Sequence, residues 1–175
     1  MNKKVQRLTL SAMLVAVMMI LGYIESQIPI GGIPGIKIGL ANSVLLLSLY
    51  WLGIPASILL MLAKVFLSGL LFGGLGTSLW FSLAGGVVSL IAMTLLIYVV
   101  KGVSPIGAGV AGAVMHNVGQ IGVAMVLLQI PQLLYYLAIL TLVGIVTGIV
   151  TGTVAKLLMH HLPFERRKAL NLVEK

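Results

Sequence analysis

The sequence predicts an all-α integral membrane protein: one transmembrane domain over residues 1–175, folded as a six-helix bundle. Three observations carry this. Apolar residues make up 60% of the chain and charged residues 8%, with a mean hydropathy of +1.19, which leaves too little polar surface to cover a soluble domain. The apolar residues fall into six runs, at about 8–25, 38–53, 56–72, 77–99, 105–128 and 133–159, separated by glycine, proline or charge. The formal charge of +8 is concentrated at the two ends, in Lys3, Lys4 and Arg7 and in Arg166, Arg167, Lys168 and Lys175. Charge so placed sets orientation in a bilayer and does not mark a nucleic-acid surface.

An even number of spans puts both termini on one side, and the lysine and arginine bias makes that side the cytoplasm. The first run follows a basic start as a signal peptide would, but no small-residue cleavage site precedes a soluble body, so it is read as a retained helix. It carries Ala12 and Ala16 four residues apart, with Ser11 beside them, a flat face that another helix can approach, either within the bundle or from a partner subunit. Glu25 ends this helix. There it is either solvated or paired with Lys37 or Lys64.

Between Pro29 and Gly39 two prolines and four glycines oppose a regular helix, and the stretch from Gln27 to Ser43 reads as the lid and rim of a binding site. Lys37 and Asn42 sit at its mouth, and Lys37 is the only basic residue expected in an outer connection. The second and third runs are near the lower limit of about 17 residues for crossing the hydrocarbon. Lys64 falls midway along the third, where a lysine costs about 2.5–3.5 kcal/mol to insert, so it should face a polar cavity with Ser68 on the same face one turn on.

Gly73, Gly74 and Gly76 loosen the next connection, with Thr77 and Ser78 placed to cap the fourth helix. Gly85 and Gly86 permit close packing within that helix. The fifth run holds His116, Asn117 and Gln120 among Gly112, Gly119 and Gly122, and the three polar side chains are expected to converge on one ligand or to hydrogen-bond between helices. The sixth carries Gly144, Gly148 and Gly152 at four-residue spacing, a seam for tight packing. Tyr23, Trp80, Phe81, Tyr135 and Tyr136 should mark the outer interface, and Tyr50, Trp51 and Tyr98 the inner one.

Absences narrow the chemistry. The chain has no cysteine and no aspartate, so thiolate sites and the aspartate-rich magnesium sites of isoprenoid synthases have no ligands here. No second histidine or carboxylate stands at ligand spacing from His116, so no metal site is expected. Gly32 to Lys37 looks like a phosphate loop only superficially, because Ile36 stands where glycine is needed and Ile38 where serine or threonine is. No catalytic residue, covalently bound cofactor or nucleic-acid partner is expected.

The segments Pro34-Gly-Ile-Lys-Ile-Gly-Leu-Ala-Asn42 and His116-Asn-Val-Gly-Gln120 resemble the signatures of the Gx transporter family, long labelled heptaprenyl diphosphate synthase component I. That family is similar to the substrate-binding S components of energy-coupling factor transporters. The resemblance implies a six-helix S component in the bacterial cell membrane, capturing a small molecule from outside and working with a transmembrane T subunit and two cytoplasmic ATPases that alone use ATP. It also implies that Ala12 and Ala16, matching an alanine pair of such components, contact the T subunit. Lys37, Lys64 and, when protonated, His116 outnumber Glu25 around the expected cavity, favouring an anionic or carbonyl-rich ligand bound by Glu25, Lys37, Asn42, Lys64, His116, Asn117 and Gln120. The alternative is an accessory membrane protein of isoprenoid or quinone metabolism.

Overall fold

A computed structural model describes residues 3–27, 40–72, 75–100 and 102–161. Lys37, the expected lid between Gly31 and Gly39, and the Gly73–Gly74 pair lie outside the described residues. The described chain is helical, with six α-helices and one 3-10 turn: α1 (Lys3–Ser26), α2 (Asn42–Trp51), α3 (Ile54–Leu71), α4 (Thr77–Tyr98), α5 (Pro105–Leu128), the turn at Pro131–Leu133, and α6 (Leu134–His161).

Five of these are long and apolar enough to cross a bilayer. α2 is the exception, and here the expected span over 38–53 is corrected. Its ten residues rise about 15 Å, half of the roughly 30 Å hydrocarbon core. Shortness follows from its position. α2 touches every other helix, and all its residues except Tyr50 are buried, so its leucines face protein on all sides. The long helices form an arc around it in the order α1, α3, α4, α5, α6, with no close backbone approach between α1 and α6 among the described residues.

Local chemistry sets the helix ends. Gly53 takes φ 85° between α2 and α3, a conformation in which a side chain is disfavoured, and Ser48 donates to Ser57 across that hairpin at 2.6 Å. Ser104 caps α5 by accepting from the Gly107 amide at 3.1 Å, with Pro105 at the first helical position. The expected cap of α4 by Thr77 and Ser78 does not form: Gly76 holds the cap position without a side-chain bond.

Glycine governs packing on the α4–α5–α6 side. A Cβ on Gly152 of α6 would lie 2.6 Å from Ile106 Cα of α5, and one on Gly109 of α5 would lie 2.9 Å from the Gly148 carbonyl oxygen of α6. A Cβ on Gly119 of α5 would lie 2.8 Å from the Ala84 carbonyl oxygen of α4. The seam anticipated at Gly144, Gly148 and Gly152 therefore brings backbone onto backbone, where dispersion is strongest in the absence of a hydrophobic drive.

Outward faces are apolar. Leu142, Val146, Ile149, Val150 and Val154 on α6 and Leu59, Phe66 and Leu70 on α3 are exposed, as a lipid-facing surface requires. Tyr23, Trp80, Tyr135 and Tyr136 are exposed too, in keeping with an aromatic belt. Phe81 and Trp51 are not part of such a belt. Both are buried in the core, because the turns that carry them face neighbouring helices, and Tyr98 uses its hydroxyl to bond the Leu49 carbonyl at 3.1 Å.

Candidate functional site

The antiparallel α2–α3 hairpin fixes the depth of its polar groups. Counting six residues back from Ser48 and six on from Ser57, the bonded pair, brings Asn42 level with Ala63 and its neighbour Lys64. The start of α2 thus stands opposite the backbone of Ala63 and Lys64, about 9 Å of helix rise from the serine pair. Lys64 is buried, with 6% of its surface exposed.

α1 completes this level. A Cβ on Gly22 would lie 3.7 Å from both Lys64 Cε and Ser68 Oγ, an ordinary contact, so α1 packs on the lysine stem here and Ser68 shares the Lys64 face as its spacing predicts. One turn beyond Gly22, Glu25 is buried. Its Oε1 accepts a hydrogen bond from the Leu40 amide just ahead of α2, and its charge acts on Lys64. Of the alternatives for Glu25, the structure excludes solvation: a helix-end position is buried because α2 begins beneath it. An acid at a helix N-terminus also meets the positive end of the peptide dipoles. Asn42 is buried, and its Nδ2 has no hydrogen-bond partner among the described residues.

The second cluster lies on α5. His116, Asn117 and Gln120 are all buried to 1% exposure or less, but they do not share one face. His116 Nε2 and Gln120 Nε2 are 2.7 Å apart in a hydrogen bond, and both pack on α4, where a Cβ on Gly85 would lie 2.8 Å from the His116 ring and 2.9 Å from Gln120 Cγ. Asn117 turns to α6 and donates from Nδ2 to the Leu140 carbonyl at 2.7 Å, while its Oδ1 has no partner among the described residues. A single residue step of about 100° separates the two directions. Ser89 of α4, whose Oγ likewise has no partner among the described residues, would lie 3.3 Å from a Cβ on Gly112, one turn before His116.

The structure thus sets the Glu25 carboxylate on the Leu40 amide at the head of α2, two residues before the buried Asn42, with the Lys64 stem one turn away along α1 at Gly22, and it joins His116 to Gln120 against α4. Gly22 and the Leu40 amide escape a reading of residue types. Their signals were a glycine one turn before a lone acid, and a run too short to span. Ala12 and Ala16 are exposed on the outer side of α1. Among the described residues no group of three His, Asp or Glu side chains gathers as a metal would need.

These features define a multi-pass membrane protein of all-helical architecture with buried polar and ionic clusters. The chain belongs to the family described as Heptaprenyl diphosphate synthase component I, whose profile matches residues 14–158. No curated protein and no solved structure matches it.

Proposed function

We propose that this chain is the membrane-embedded substrate-binding subunit of an ATP-driven importer of the energy-coupling factor type, without catalytic activity of its own. The observation that carries the reading is the buried cluster of Glu25, Lys64 and Asn42 at the head of a half-length helix. Charged groups inside a membrane protein are expensive and serve ligands or their counter-ions, and interrupted helices present their ends to substrates at mid-depth.

On this reading both termini face the cytoplasm of a bacterial cell, and the ligand is a small anionic or carbonyl-rich molecule that enters from outside. Lys64 and Asn42 bind it, Glu25 lines the same place as the counter-charge of Lys64, Lys37 adds charge at the rim, and His116, Asn117 and Gln120 contribute from α5. The exposed Ala12 and Ala16 face contacts a T subunit, which couples to two cytoplasmic ATPases. The chain needs no cofactor; ATP is consumed only by the partners.

A second reading takes the family description at its word: an accessory subunit of a prenyl diphosphate synthase. The lack of any aspartate removes the usual ligands of magnesium diphosphate from this chain, so it would assist catalysis without performing it. One experiment separates the two. The purified protein is analysed by mass spectrometry for a co-purifying small molecule, which is then offered to proteoliposomes holding this chain with a T subunit and ATPases. Uptake that requires ATP and this chain is the expected result. No co-purifying molecule and no uptake, together with stimulation of a prenyl diphosphate synthase, would establish the accessory role instead.

A further inference from the structure

The head of α2 gathers more hydrogen-bond donors than one acid can use. The Leu40 amide, the Lys64 ammonium with three N–H groups and the Asn42 amide with two belong to the same buried level. One carboxylate, that of Glu25, reaches this level from α1 on a stem of two methylenes. It lies where a free anion would settle, at the positive end of a ten-residue helix and within the field of a buried cation. A second feature points to a ligand: Asn42 has 8% of its surface exposed, starts the helix itself, and offers a donor with no acceptor among the described residues.

We propose that Glu25 is a tethered stand-in for the carboxylate of the ligand. In the empty protein it neutralises Lys64 and occupies the head of α2; on binding, a carboxylate of the incoming molecule takes that place and Glu25 is displaced. The ligand class is then a carboxylic acid. Glu25 sets specificity by competition, because a neutral molecule cannot replace the charge it removes, whereas an anion exchanges like for like and leaves the net charge of the buried level unchanged. The same exchange keeps Lys64 from ever standing uncompensated in a medium of low dielectric constant. This inference rests on the reading of the chain as a binding subunit and names its ligand class.

Acetate tests it, since it carries the carboxylate group that Glu25→Ala removes. The detergent-purified variant is melted in acetate, in acetamide and in chloride at matched ionic strength. Acetate at about ten times its Kd is expected to raise the Tm of Glu25→Ala by about 3–5 °C, as ligand linkage gives for a chain of this size. Acetamide and chloride should leave it unchanged, and the wild type should move by less than about 1 °C, because its own carboxylate holds the site at high effective concentration. Glu25→Gln, which keeps the side-chain volume, guards against a variant that fails to fold. Its neutral amide is displaced more easily than the acid, so its acetate shift should fall between those of the wild type and Glu25→Ala. If acetate acts no better than acetamide, or no better on the variants than on the wild type, the stand-in role is overturned. Ligand identification reads a different quantity: a bound molecule found without an acetate effect would keep the binding subunit and discard the carboxylate, and an acetate effect without a transported molecule would do the reverse.

Discussion

The two sides of this bundle are put together differently, and glycine measures the difference. On the α4–α5–α6 side a Cβ added to Gly152, Gly109 or Gly119 meets backbone at 2.6–2.9 Å, so those helices touch main chain to main chain. On the α1–α3 side a Cβ added to Gly22 meets only the Lys64 stem and the Ser68 hydroxyl at 3.7 Å, an ordinary contact. The first side has no room to give, and its polar groups are spent largely on holding helices together, as in the bond from Asn117 to Leu140. The second holds the buried acid and the buried lysine in looser surroundings. Close backbone packing and the buried ionic cluster are thereby separated in one small protein.

Lys64→Met should give the largest effect, chiefly on binding, with a smaller loss of stability from the Glu25 carboxylate left without its cation. The apolar side chain inserts more easily than the lysine, so the purified variant is expected to remain folded. Its affinity for the co-purifying ligand should drop by about 3 kcal/mol or more, on the order of 100-fold, as when one member of a buried charged set is lost. Calorimetry on the folded variant checks this. Unchanged affinity would place the site on the other side of the bundle, with His116 and Gln120.

A matched pair tests the packing contrast itself. Gly152→Ala should destabilise the protein by about 1–3 kcal/mol, since backbone must shift to admit the methyl group, whereas Gly22→Ala should change stability by less than about 0.5 kcal/mol. Unfolding in mixed micelles with increasing SDS reads both. Equal losses would show that the two sides are packed alike.

The smallest effect on the fold is expected from Ala12→Leu combined with Ala16→Leu. Both positions are exposed on α1, so stability and ligand affinity should stay within about 0.5 kcal/mol of the wild type. Retention of a T subunit on affinity purification should nonetheless be lost. If the T subunit is retained at the wild-type level, that face meets lipid and not protein.

Most of the scaffold could be read from residue order, and much of the site could not, for physical reasons. Five long helices follow from runs of apolar residues, since only a helix satisfies its own backbone in lipid. The α6 seam follows from glycines four apart, which share a face whatever lies opposite. Lys64 draws notice because a charge within an apolar run must be kept out of lipid by polar or charged neighbours. Glu25 draws notice as the acid that ends α1, but its burial could not be read, because the end of a transmembrane helix is ordinarily wet; it depends on α2 starting beneath it, a fact about another element. Phe81 and Trp51 were misplaced for a related reason, since a residue near a helix end faces either an interface or a neighbour, and only the bundle decides. His116 and Asn117 are adjacent in sequence yet serve α4 and α6, and which helix lies along each direction is set by packing over long separations.

The half-length of α2 has a consequence for how the chain enters the membrane. Ten residues are too few to be held as an independent span, so α2 cannot be released into lipid ahead of α3. The tight turn at Gly53 and the bond between Ser48 and Ser57 make the two a helical hairpin, so α2 is expected to enter together with α3. α1 precedes it, carrying Glu25 39 positions (64 − 25) ahead of Lys64. At about 5–20 residues per second, the acid waits roughly 2–8 s of synthesis for its cation. During that interval the end of α1 belongs at the membrane surface, and the arrival of the hairpin draws it inward, so that Lys64 completes the burial of Glu25.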